Sequence, residues 1–170
     1  DAPDPDTPPI LSLEISTTTI VRAYAAKSGF QATNIDTQSY FFLDEVINNP
    51  VMATSVTEHP VWGPQMRDAL LEIPTISLVT QEAIPTTPIM SPPEIPVSIE
   101  MIFPDGRDGF QLDAGVERFG GQFTVYDKHA LRVSFKEIYG KKKLKFDLFS
   151  DTPYGDDSVV ESFDQILLRN

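Results

Sequence analysis

Hydrophobic and polar positions alternate from Ile10 onward: Leu11, Leu13 and Ile15 share one face, and a second run, Ile20 to Ala26, is rich in β-forming residues. Lys27-Ser28-Gly29 marks a turn, and Ser39 to Leu43 supplies a third run. These runs read as the closing strands of a β-sandwich. A sandwich needs about seven strands over roughly 100 residues, so its missing strands are expected from upstream sequence, another chain or the rest of this one. Residues 44–64 are turn-rich, with Asn48-Asn49-Pro50 and His59-Pro60-Val61-Trp62-Gly63-Pro64 as punctuation. Trp62 reads as an aromatic anchor for this crossing loop. Gln65 to Glu72, with Met66, Ala69 and Leu70 at helical spacing, predicts the one convincing helix, which Pro74 ends. Thr75 to Val79 predicts a buried strand, and the prolines from Pro85 to Pro96 argue against regular structure there.

Alternation is cleaner in the C-terminal stretch. Val97 to Phe103 predicts a half-buried strand, and Pro104-Asp105-Gly106-Arg107-Asp108-Gly109 predicts the turn of a hairpin. Further strands are expected at Phe110 to Leu112, Gly115 to Phe119, Ala130 to Phe135, Lys143 to Phe146 and Phe163 to Leu168. Leu131, Val133 and Phe135 fall on one face and Arg132 and Ser134 on the other, which gives the sheet one wet side. The expected fold class is mostly β (α+β), with one short helix near 65–72. It divides into a partial β module with a Pro-rich leader (1–47), an irregular connector with the helix (48–72), and a twisted antiparallel sheet (73–170).

Composition narrows the function. A formal charge of -12 repels phosphate backbones and anionic membranes, so nucleic acid is not an expected partner. No apolar run is long enough to span a bilayer, so direct membrane insertion is not expected either. With no cysteine, disulfides and thiolate metal sites are excluded, and His59 and His129 lack ligand spacing.

Candidate chemistry is sparse. No Ser-His-Asp or Cys-His arrangement, Walker loop or dinucleotide fingerprint is present. Asp4 and Asp6, or Asp105 and Asp108, read as turn chemistry rather than calcium ligands. Arg118, Gly120, Gly121, Lys128 and Arg132 place basic residues around a glycine turn, an arrangement suited to holding phosphate. The competing reading pairs these cations with local acids such as Glu117 and Asp127. Lys141-Lys142-Lys143, next to Gly140, reads as a solvated hairpin tip.

Ile73 to Thr80, Glu94 to Glu100, Pro104-Asp105-Gly106, Gly109 to Val116 and Phe119-Gly120-Gly121 together resemble the start of a CotH-type domain, the family of spore-coat protein H kinases. The likeness continues through Lys128 to Phe135, Glu137 to Gly140, Leu144 to Phe149 and Phe163 to Arg169. Upstream, Thr18 to Phe30 and Thr37 to Ile47 resemble the fibronectin-III-like end of a chitobiase-type sandwich. The resemblance implies an exported bacterial protein of the extracellular space, periplasm or envelope, its signal already removed. In complete members it implies an atypical kinase fold that binds ATP and Mg²⁺, with Lys128 and Arg132 at basic positions of the family strand. Here Gln122-Phe123 replace the family's small hydroxyl residues and His129 its second basic residue. The resemblance implies that the region where the family keeps its catalytic base and metal-binding acids would fall after Asn170.

The expected function is therefore a non-catalytic extracellular or envelope structural or interaction subunit. It needs no cofactor and meets a protein partner, or the remainder of a longer chain, at unpaired β edges. One alternative is the N-terminal fragment of a secreted ATP- and Mg-dependent kinase, and another is a carbohydrate-associated accessory module.

Overall fold

The computed structural model describes residues 12–85, 93–120, 129–149 and 160–169. The chain is mostly β, with antiparallel pairing throughout. Strands β1 (Thr19–Ala23) and β2 (Asp36–Tyr40) form a hairpin. Three short helices follow, α1 (Leu43–Ile47), α2 (Thr54–Thr57) and α3 (Met66–Glu72). Then come β3 (Thr75–Thr80), β4 (Ile95–Ile102), β5 (Phe110–Arg118), β6 (Leu131–Ser134), β7 (Leu144–Lys145), β8 (Ser162–Phe163) and β9 (Gln165–Leu168). One five-stranded sheet runs in the order β3-β4-β5-β6-β9, and β7 pairs with β8 separately.

Period-two alternation sorts the main sheet into two faces. Ile95, Val97 and Ile99 of β4 lie opposite Val116, Ala114 and Leu112 of β5, and Val133 lies opposite Val116 on the next strand. These side chains, with Phe135 and Leu144, form the buried core. On the other face Glu100 is opposite Gln111, Ser98 opposite Asp113, and Arg132 opposite Glu117. The alternation in β6 predicts a wet second face, and the register extends a polar face across the sheet, but Ser77, Ser98 and Ser134 on it are buried rather than solvated.

Pro96 sits inside β4, although the proline count argued against a strand before Val97. It is tolerated because β3 ends at Thr80, opposite Val97, so no β3 residue stands across from Pro96. Residues 110–118 make one continuous strand rather than two. The turn between β4 and β5 reverses at Gly106, whose φ of 79° favours glycine.

Two expectations in the N-terminal half are corrected. Leu43 begins a helix rather than ending a strand, because Leu43, Val46 and Ile47 recur at helical spacing and Asp44 and Glu45 complement the helix dipole in the first turn. The helix at α3 is thus joined by two others, α1 and α2. α3 ends where Ile73 turns extended, as a residue before proline prefers. No described residue from 12 to 18 lies in a strand, so Leu13 and Ile15 of the first alternating run do not pair, and Ile10 and Leu11 lie outside the described residues.

The β1-β2 hairpin rests on the wet face of the main sheet through polar groups. Ser39 Oγ and Ser77 Oγ are 2.8 Å apart in a buried hydrogen bond, and the Ser39 amide donates to Glu100 Oε2 at 2.9 Å. Thr37 is buried beside them, and its Oγ1 finds no partner among the described residues.

Candidate functional site

Glycine at position 115 opens the centre of the wet face. A Cβ there would stand 2.5 Å from the Glu94 carboxyl carbon and 2.6 Å from the Tyr139 ring, so any side chain would collide with both. Into that space Glu94 sends its carboxylate from the start of β4. Lys136 Nζ donates to both Glu94 oxygens at 2.8 Å, and Tyr139 donates its hydroxyl at 2.9 Å. Burial pushes the Glu94 carboxyl up, but these hydrogen bonds, the Lys136 charge and a further bond from Ser134 outweigh it and hold the group below the usual glutamate range. Tyr139 is raised by its own desolvation and by its bond to Glu94.

Beside this cluster lies a cleft of about 450 Å³ between the β1-β2 hairpin and the main sheet. Arg22 and Asn34 line it from the hairpin side, Ser98 and Asp113 from the sheet, and Ile138 and Tyr139 from the segment after β6. Burial raises the Asp113 carboxyl above the ordinary aspartate range, and the nearby Asp36 charge raises it further against the opposing pull of Arg22. The cleft therefore holds the guanidinium of Arg22, the amide groups of Asn34 and Gln81, and the carboxyls of Glu82 and Asp113. That set suits binding of a polar group. Among the described residues no three His, Cys, Asp or Glu side chains are grouped to hold a metal ion.

The basic residues singled out from the sequence do not converge here. Arg132 donates from Nε to Glu117 Oε1 at 2.8 Å and from Nη2 to the same oxygen, and its guanidinium lies 5.3 Å from the Phe119 ring centre. Pairing with a local acid, the competing reading, is what Arg132 does. Arg118 is buried and lies opposite Leu131, one residue out of phase with Arg132, so the two arginines project to opposite faces of the sheet. Gly120 has a φ of 98°, a turn conformation that favours glycine. Gly121 and Lys128 lie outside the described residues.

His59 is a loop strut. Its Nδ1 accepts from the amides of Val61 and Trp62, and its ring stacks on Trp62 at 3.9 Å. Trp62 thus anchors the loop through His59 while remaining exposed.

The wet-face cluster was hidden from sequence reading because its members come from three separate segments, around Glu94, Gly115 and Ser134 to Tyr139, and only the register brings them together. The one available signal was Gly115 inside an otherwise β-forming run, since an isolated strand glycine marks a close approach. Compared with protein-family models, characterised proteins and solved structures, the chain matches none. No helix among the described residues is long and apolar enough to cross a membrane.

Proposed function

We propose that the chain serves as a non-catalytic structural or interaction module of the bacterial cell envelope, holding a protein partner against the surface that runs from the β1-β2 hairpin to α3. The supporting observation is the division of apolar side chains. Every buried hydrophobic among the described residues lies between Ile95 and Leu144, whereas most exposed large ones lie between Leu13 and Ile76. Phe41, Val51, Trp62, Leu71 and Ile73 are all solvent-facing in that half. Exposed large apolar side chains mark interaction surfaces in soluble proteins where they join into a patch. Envelope placement is carried by the CotH-type resemblance alone, and the kinase reading must rest on Lys128, since Arg132 is occupied by Glu117.

The test is site-specific photo-crosslinking in cells that make the protein natively, with the probe at Trp62 or Ile73 and, as control, at the hydrophilic turn residue Asp105. Adducts of one discrete mass from Trp62 and Ile73, absent from Asp105, are the expected result. No adduct from either position, or the same adducts from all three, overturns the reading.

A further inference from the structure

A second surface, remote in sequence from the apolar one, has a different chemistry. A groove of about 710 Å³ runs between the start of β5 and the segment that leads into β7. Lys141, Lys142, Lys143 and Lys145 all line it, and no carboxylate does among the described residues. In a chain of formal charge -12, with 13 Lys and Arg in all, this is a marked local reversal of sign. The lysines are exposed, as a solvated tip would have them, and they also line the groove. Lys143 does reach Asp164 at 3.2 Å, yet both side chains are largely exposed and such a pair contributes little.

The base of the groove is apolar. Leu144 is fully buried, and Phe146 meets Phe110 edge-on with ring centres 5.1 Å apart. One wall is the backbone of β5. β4 pairs with β5 from Phe110 to Val116, whereas β6 pairs only from Gly115 to Arg118. From Phe110 to Ala114 the edge of β5 away from β4 therefore has no strand partner among the described residues. Gly140 comes close to β5 at Asp113, and the groove lies on the Gly109 to Leu112 side of that approach.

We propose that this groove binds an extended acidic polypeptide segment, which adds to the edge of β5 that the described strands leave unpaired and sets its carboxylates on the lysines. The edge supplies amide and carbonyl groups, which strand addition uses for affinity. A pleated segment sends alternate side chains to opposite sides, so acidic residues meet the lysines while intervening apolar ones face Phe110 and Phe146. An inorganic polyanion would use the lysines and leave both the edge and the aromatic base idle.

The experiment follows fluorescence anisotropy of a labelled peptide of alternating Glu and Val, about ten residues long, titrated with the whole 170-residue chain at about 50 mM salt. Saturable binding is expected, weakened about tenfold or more by Lys141→Glu with Lys143→Glu, and changed by less than about twofold by Lys27→Glu with Arg67→Glu, an equal change of charge elsewhere. A peptide N-methylated on alternate residues should bind about tenfold more weakly than its parent. The triple variant Lys141→Gln, Lys142→Gln, Lys143→Gln repeats the loss without reversing charge, and circular dichroism confirms that each variant is folded. Binding that is absent, equal for the methylated peptide, or lowered alike by both charge reversals overturns the proposal. So does polyphosphate binding at equal affinity with the methylated peptide unaffected, which reduces the groove to a general anion surface.

Discussion

At the residue scale, the two perturbed carboxyls on the wet face pull stability in opposite directions with pH. Glu94 is held below the usual glutamate range, so its contribution is present above that range and is lost as the pH falls through its folded value. Asp113 is raised, so the stability its protonated form gives is present below the ordinary aspartate value and is lost as the pH climbs through the folded one. Denaturant titrations of Glu94→Gln at pH 7 should show a loss of about 1–2 kcal/mol, because Lys136 loses its ion pair. That deficit should shrink toward pH 3. Asp113→Asn should be more stable than the parent at pH 7 and indistinguishable from it at pH 3. Equal effects at both pH values for either variant would show that its carboxyl is not perturbed as described.

Elements were read from the sequence with uneven success, for identifiable reasons. The strands of the main sheet were legible because apolar side chains take one face and polar ones the other, so the sequence alternates with period two, as in Val97, Ile99 and Met101. α3 was legible because Pro74 stops it. α1 was not, since Phe41-Phe42-Leu43 is a short apolar run that fits a strand or a helix equally well. The Glu94, Lys136 and Tyr139 cluster was out of reach, because its partners are more than forty residues apart and pattern reading is local. The polar docking of the hairpin was also unforeseen, and it leads to a contrast within β2. Thr37→Val removes a buried hydroxyl without a partner and should stabilise by about 1 kcal/mol, whereas Ser39→Ala strands Ser77 Oγ and should destabilise by about 1–2 kcal/mol. Thermal or urea unfolding separates the two. Hydrogen exchange should further show Ser39→Ala loosening β1 and β2 more than β4 and β5.

At the scale of the whole molecule, the sheet's core face carries the fold and the N-terminal half adds surface. Ile99 is fully buried in the middle of β4, and Ile99→Ala should cost about 2–5 kcal/mol in denaturant unfolding. Trp62→Ser, at a side chain more than half exposed that stacks on His59, should cost the isolated chain no more than about 1.5 kcal/mol. A large loss at Trp62 would mean that it supports the fold rather than an interface.

The strand order carries a consequence for how fast the chain reaches this state. β3, β4, β5 and β6 are neighbours in sequence and in space, so each of their pairings closes a comparatively short loop. β6 instead completes its other edge with β9, opposite it from Leu131 to Ser134, after an excursion through β7 and β8. Closing that longer loop costs extra chain entropy before any contact rewards it. The four-stranded meander β3 to β6 is thus the natural nucleus, and β9 the piece that zips on afterward, which leaves β6 as an open template for as long as the search lasts.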